Sequence, residues 1–212
     1  MENIFEKYNN LCKTPSDINE HLPTLFKYAS QCDSAFETGV RGVISSWALL
    51  YGLISNNNGN TKYFLMNDIV PCDIDEINNS IETINKENQI VKLDFLWKNN
   101  LEIEFENNQI FDLTFIDTLH CYGQLRRELD KFSKNTNKYI IMHDTSIDEF
   151  KGEIFRSNNS ILEYKQMTGF TDDNDILLGL SQAIEQFLNK NKDWILLEKF
   201  TNNNGLTVLK RI

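Results

Sequence analysis

Apolar positions along this chain recur in two alternating rhythms. Residues 16 to 31, SDINEHLPTLFKYASQ, put Leu22, Leu25, Phe26 and Ala29 on one face at helical spacing. In SAFETGVRGVISSWALLYGL, Ala35 and Phe36 close a short strand and Gly39 and Gly42 punctuate a turn. Ile44 to Leu53 then forms a mostly apolar helix with Ser45 and Ser46 near its start. The rhythm repeats. KYFLMND (62 to 68) predicts a buried strand ending on Asp68, and residues 75 to 88 a helix striped by Ile77, Ile81 and Ile84. QIVKLDFL predicts a strand with Asp94 near its end, FDLTFID (111 to 117) another, and QLRRELDKFS a helix. NKYIIMHDT is a further strand, ending on His143 and Asp144.

The end of the chain changes pattern. DILLGLSQAIEQFLNKN predicts one long helix. DWILLEKF and GLTVLKR then follow as strands separated only by TNNN, too close for a helical crossover. The pattern therefore predicts an α/β fold. It is a Rossmann-like parallel sheet with helices on both faces and a C-terminal antiparallel hairpin. No linker divides the 212 residues, so a single domain is expected, with residues 1–34 as a helical cover. Residues 146–175 form the longest irregular stretch and predict a lid or substrate loop.

Composition narrows the function classes. A net charge of −10 disfavours a surface that coats nucleic acid, because phosphate contacts need clustered Lys and Arg. No apolar run approaches the ~20 residues that span a bilayer. The polar start, MENIFEKYNN, lacks the pattern of a secretory signal, so a cytoplasmic protein is expected. The cysteines Cys12, Cys32, Cys72 and Cys121 are scattered, which gives neither a zinc nor a disulfide pattern. Asparagine-rich runs such as NNNGN and TNNNG read as loops.

Candidate chemistry gathers at strand ends, where open α/β sheets bind ligands. Glu37, Asp68, Asp94, Asp117 and Asp144 all fall at or just past predicted strand ends. Each alone reads as a helix cap or a solvated loop residue; together they describe an acidic rim suited to a ribose, an amino group or a divalent cation. The first turn, Glu37-Thr-Gly39-Val-Arg41-Gly42, is not GxGxxG, and no phosphate-loop lysine follows. An acid before the glycines would repel a pyrophosphate and welcome a cationic amine. That favours S-adenosylmethionine over NAD or ATP.

The order of elements and the strand-end acids resemble a class I S-adenosylmethionine-dependent methyltransferase. More closely, SDINEHLPTL, ETGVRGVISSWALLYGL, FIDTLHCYGQLRREL, KYIIMHDT and FTNNNGLTVLKR resemble a bacterial and viral group of methyltransferase-like proteins, some joined to glycosyltransferases. The resemblance implies that Glu37, Gly39, Arg41 and Gly42 line the methionine part of the cofactor, with Ser45 close by. It places Asp68 at the ribose and Asp94 near the adenine, with Asp117 also in the cofactor site. It further implies a sugar or glycan precursor as the acceptor.

Metal-dependent O-methyltransferases carry acids after the same two strands as Asp117 and Asp144. Paired carboxylates there can hold Mg²⁺ or another hard cation, with His143 completing the set. Asp117 and His120 are the catalytic candidates, and His120 is the expected general base, since an ordinary imidazole titrates near neutrality; the bland reading makes it a helix cap. Related enzymes often have a second acid where this chain has Thr118-Leu119-His120. His21 reads as a surface histidine or a cover for the cofactor, residues 171 to 175 as a solvated helix cap, and RRELDK as a charged helix face. Two alternatives stay open: a non-catalytic cofactor- or partner-binding module, and a metal-dependent hydrolase or hydroxylase on the same rim. A homo-oligomer is compatible with either.

Overall fold

The computed structural model describes residues 2–86, 91–106 and 109–212. The expected strands assemble into one seven-stranded sheet of order β3-β2-β1-β4-β5-β7-β6. They are β1 (Ser34–Thr38), β2 (Lys62–Asp68), β3 (Val91–Trp97), β4 (Phe111–Ile116), β5 (Thr136–His143), β6 (Trp194–Phe200) and β7 (Leu206–Arg211). The first five pair in parallel, and β7 runs antiparallel to both β5 and β6. Order reverses between β1 and β4, which opens a crevice at their carboxyl ends.

Two apolar layers sandwich the sheet. On one side α3 (Ile44–Ser55) lies against Phe64, Met66 and Phe115, with α2 (Leu22–Ala29) and α1 (Glu2–Lys13) stacked outside it. That position explains why α3 is apolar nearly all round: one face meets the sheet and the opposite face meets helices. Tyr8, Phe26 and Tyr51 seal the helical layer, with Phe26 stacked on Tyr51. On the other side α5 (Tyr122–Phe132) and α8 (Leu180–Lys190) cover Phe36, Ile116, Ile140 and Met142. Burying a side chain of this kind stabilises by about 1.5–3 kcal/mol, so these layers dominate folding.

Several elements differ from the sequence pattern. The helix expected over residues 16–31 is shorter. A 3-10 turn, Asn19–His21, leads into α2, and Pro23 sits in the first turn of α2, where its missing N–H costs nothing. Helix α1 lies within residues 1–34, the stretch expected as a helical cover. The expected helix 75–88 is α4 (Asp75–Lys86), and residues 87 to 90, which take the start of the expected third strand, lie outside the described residues. The long helix over 175–191 is broken. Asn174–Leu177 forms a single turn, α7, and Gly179, in an extended conformation, separates it from α8; a Cβ there would sit 2.4 Å from the Asp148 carbonyl oxygen.

The segment 146–175 is ordered. It contains a 3-10 turn, Glu153–Arg156, and a helix α6 (Ile161–Thr168) opened by a Ser160/Glu163 capping box. Cys121, Ile154, Tyr164, Phe170 and Ile176 give it a small core. Asp175, expected as a solvated cap, is buried and paired with Arg127 at 2.8 Å and Arg126 at 3.6 Å. The charged face of α5 therefore anchors this segment.

At the opposite end of the sheet, the buried Lys62 ammonium lies 2.5 Å from Asp33. Burial pushes the Asp33 carboxyl up, but hydrogen bonds from Lys62, Asn60 and Asn58 outweigh it and hold the group at about 2. That depression stabilises the fold above pH ~4 and is lost as pH falls through about 2. Asp33→Ala strands the buried ammonium and should cost about 2–3 kcal/mol, since Asp33 itself is partly exposed. Lys62→Met should cost less than about 1 kcal/mol. Urea unfolding at pH 6 and pH 3 checks both; equal costs for the two variants would contradict the assignment.

Candidate functional site

The crevice between the ends of β1 and β4 holds a cavity of about 490 Å³, a size suited to a small organic ligand. Its floor is the β1–α3 turn. Gly39 adopts φ +88°, and a Cβ there would fall 1.8 Å from the Asp117 carbonyl oxygen. Only glycine fits. The backbone is further laced by Gly39 N–H donating to Asn67 O and Asp117 N–H donating to Thr38 O, each at 2.9 Å. Arg41 and Val43 also take positive φ, 40° and 60°. Asp68 holds the turn in that shape: its carboxylate accepts from the backbone N–H of Arg41 at 2.8 Å and of Val70 at 3.0 Å. The Arg41 guanidinium pairs with Asp17 at the cavity mouth.

Of the expected residues, Gly39, Arg41, Gly42, Ser45, Asp68, Asp117, His120 and Asp144 line this one cavity. Glu37 does not. It is fully buried beneath the turn, where its two carboxyl oxygens accept from Ser45 Oγ at 2.5 Å and Ser46 Oγ at 2.6 Å. Burial raises its pKa to about 8; the two serine bonds work against the shift, and nearby Asp117 and Asp68 add to it. Glu37 thus secures the start of α3, which has no side-chain N-cap. Asp94 is absent from the cavity because β3 runs three residues beyond it; its carboxylate pairs with Lys92 at 2.8 Å and accepts from Tyr63 Oη at 3.0 Å. Asn99, Asn100 and Leu101, past the end of β3, occupy the cavity wall instead.

At the other end of the cavity, carboxylates surround one imidazole. His120 Nε2 lies 3.3 Å from Asp117; its Nδ1 lies 3.0 Å from Asp144, 3.4 Å from Asp148 and 3.1 Å from Glu153. Arg156 packs beside the same Nδ1 at 3.2 Å and clamps Asp148 through two bonds, at 2.8 and 2.5 Å. Burial pulls the His120 pKa down. Its bonds to Asp117, Asp148 and Glu153 and the charge of Asp144 more than reverse that, and the ring is held as a cation well above its ordinary range. The carboxylates at both ring nitrogens favour the protonated ring over the neutral base expected from the sequence. Burial likewise pushes Asp117 up, but bonds from His120 and His143 bring it far below the usual carboxylate range.

Asp144 behaves differently. It follows β5 in a left-handed conformation, φ 56°, and is buried. Among the described residues its Oδ1 has no hydrogen-bond partner, His143 Nδ1 standing 3.6 Å away. Burial raises its pKa, with Asp117 adding to the shift and the two histidines opposing it. His143, expected as a metal ligand, is set back from the cavity. Its Nδ1 faces Asp117 at 3.4 Å and its Nε2 meets the Asn203 carbonyl at 3.2 Å. Among the described residues, two groups have ligand atoms within 4.8 Å of one another: Asp117, His120 and Asp144, and His120, Asp148 and Glu153. With the imidazole neutral, one ring nitrogen and two carboxylates make a donor set that fits a divalent cation. His21 is buried edge-on against His143 and bonded to the Asn202 carbonyl at 2.9 Å, so it neither covers the cavity nor faces solvent.

Several cavity residues had no sequence signal. Gln124, Asn100 and Thr118 come from three separate segments, and Glu153, Arg156 and Met167 from the expected lid. Asn204 comes from the asparagine run that reads only as a turn. The acids of the lid, at residues 148 and 153, were the one available hint.

Two variants test the floor of the site. Gly39→Ala should unfold the turn, costing at least about 2 kcal/mol of stability. Glu37→Gln keeps the shape and removes the titration. A carboxyl raised in the folded state loses stability as pH rises from its unfolded value near 4.5 to about 8. The variant's urea midpoint should therefore fall less steeply than the wild type's over that range. Parallel profiles would place Glu37 on the solvent side of the turn.

A scan of family models finds no match to this chain, and a search of curated proteins finds none either. Solved structures do match. The chain is similar to the S-adenosylhomocysteine-bound methyltransferase PaMTH1 of Podospora anserina (15% identity, 99% of this chain and 87% of that one, TM-score 0.52). It is similar to an O-methyltransferase of Bacillus cereus in complex with S-adenosylhomocysteine (16%, 100% and 90%, TM-score 0.53). It is also similar to the magnesium protoporphyrin IX methyltransferase ChlM of Synechocystis PCC 6803 (13%, 98% and 94%, TM-score 0.54). The sheet order, the reversed hairpin and these matches together give the chain the fold of the class I S-adenosylmethionine-dependent methyltransferases.

Proposed function

We propose that this protein transfers a methyl group from S-adenosylmethionine to a hydroxyl of a small molecule. The observation that carries the reading is one continuous cavity at the β1/β4 reversal, walled by the glycine turn and Asp68 at one side and by Asp117 and Asp144 at the other. Structurally similar proteins bind S-adenosylhomocysteine. In this reading the backbone of residues 39–42 cradles the methionine moiety and Asp68 accepts from the ribose. Asn99, Asn100 and Leu101 take the nucleobase end in place of Asp94. The acidic lining favours a sulfonium and an ammonium, both cationic.

During transfer the methyl carbon leaves sulfur for the acceptor oxygen, and the hydroxyl proton must go elsewhere. Asp144 is the better acceptor for it than His120. Asp144 lines the cavity and burial makes it more basic than an ordinary carboxylate, whereas the acids around His120 favour its protonated form. A divalent cation held by Asp117, Asp144 and His120 would displace the His120 proton, since a ligating imidazole is neutral, and would lower the pKa of the acceptor hydroxyl. Alignment of donor and acceptor contributes up to roughly 7–11 kcal/mol, so positioning outweighs base strength. Glu153, Arg156 and Met167 from the ordered lid border the acceptor side and set its shape. A sugar or glycan precursor as acceptor rests on the sequence resemblance.

A second reading, binding without turnover, is favoured by Leu119, which lines the cavity where related enzymes place an acid. Calorimetry with S-adenosylhomocysteine separates the first from other classes. Micromolar binding is expected, weakened at least tenfold, or about 1.4 kcal/mol, in Asp68→Ala; no binding would remove the methyltransferase reading. Asp144→Asn should keep that affinity within about threefold. It should abolish turnover and its stimulation by Mg²⁺ in a screen of hydroxylated acceptors. Cofactor binding without any product in that screen would support the second reading.

A further inference from the structure

One end of the cavity is organised by a carboxyl group that never reaches it. Glu128 on α5 is fully buried, and its Oε1 accepts three hydrogen bonds: Asn100 Nδ2 at 2.5 Å, Thr118 Oγ1 at 2.5 Å and Gln124 Nε2 at 2.8 Å. All three donors line the cavity, and Glu128 does not. Its Oε2 is buried without a partner among the described residues. Burial favours the neutral acid, and the three donors work against that shift.

The consequence falls on Gln124. Its Nε2 donates to Glu128 Oε1 and also to Asn100 Oδ1 at 3.1 Å, which uses both amide hydrogens. Asn100 Nδ2 is in turn committed to Glu128 and to Thr38 Oγ1 at 3.0 Å. Turning the Gln124 amide over would face its carbonyl oxygen against two acceptors. The amide is therefore locked one way round. Its Oε1 has no protein partner among the described residues, is not one of the buried orphaned atoms, and belongs to a side chain of the cavity wall.

We propose that Glu128 is a positioning residue that locks Gln124 as a hydrogen-bond acceptor, so that this end of the cavity selects a nucleobase bearing an exocyclic amino group over its oxo counterpart. The inference rests on reading the cavity as an S-adenosylmethionine site and adds to it a rule of discrimination. An amino group donates to Gln124 Oε1. A ring carbonyl at the same place meets oxygen with oxygen, and a site built to hydrogen-bond one group rejects the analogue lacking it.

Calorimetry on the intact protein, with S-adenosylhomocysteine and its deaminated counterpart S-inosylhomocysteine, tests this. The wild type should prefer the adenosyl compound by at least about tenfold. Glu128→Gln keeps an Oε1 acceptor for the three donors and should keep the preference. Glu128→Leu frees the Gln124 amide to rotate, and the preference should fall below about threefold. Gln124→Met removes the acceptor without disturbing Glu128, so it decides the matter if Glu128→Leu does not fold. A merely structural Glu128 would change both affinities together and leave their ratio intact. Equal binding of the two compounds by the wild type, or a preference that survives Gln124→Met, overturns the proposal and leaves the methyltransferase reading standing. Failure of both compounds to bind the wild type overturns both.

Discussion

Everything in this site hangs on the contact between Gly39 and the Asp117 carbonyl. The two strands that diverge at the sheet's reversal must still close against each other at their carboxyl ends. They do so with no room for a Cβ between them. That closure sets the β1–α3 turn on one side and aims Asp117 on the other. Asp68 and Glu37 then fix the turn from above and below, one through backbone N–H groups and one through two serine hydroxyls. Two buried acids hold a loop that could otherwise adopt many shapes, and loop order of that kind is what ligand binding would otherwise have to supply.

Charge organises the acceptor side. Four carboxylates converge on His120, and two of them, Asp148 and Glu153, come from the segment 146–175. The imidazolium and Arg156 are the cations that make such convergence tolerable. The same contacts tie the segment to the cavity rim. Glu153 N–H donates to the His120 carbonyl at 2.8 Å, and the Asn204 carbonyl accepts from Ser146 and Ile147. The stretch expected as a lid or substrate loop has its own small core and contributes residues to the cavity wall. The polar network around Glu128 does for the other end of the cavity what the charge cluster does here: it fixes the orientation of groups that face a ligand.

The strands were legible because buried parallel strands are short continuous apolar runs, and those of KYFLMND, FDLTFID and NKYIIMHDT end within one residue of where the pattern placed them. The short spacer before GLTVLKR forced a hairpin, and Asn203, Asn204 and Gly205 supply it with left-handed conformations. Helix ends were less legible. Pro23 and Gly179 mark the places where the pattern was read too far, and both act through sterics that apolar spacing does not encode. Asp94 misled for a simple reason: a strand's length beyond its last acid is fixed by pairing with its neighbour, here Asp68 with Trp97.

By itself, the sequence determined the sheet, its reversed edge and the rim on which Asp68, Asp117 and Asp144 meet, because alternation of period and the position of strand-end acids are local properties. Tertiary structure alone decided which acids face a ligand and which only support the fold. Glu37 and Asp144 are both buried carboxyls at strand ends; one is satisfied by two serines beneath the turn, and the other lines the cavity with one oxygen left without a hydrogen-bond partner among the described residues. The state of His120 was equally invisible, since it depends on Asp148 and Glu153, residues 28 and 33 positions away. Hydrogen-bond partners and local dielectric are set by what packs nearby in space, and spacing along the chain does not carry that information.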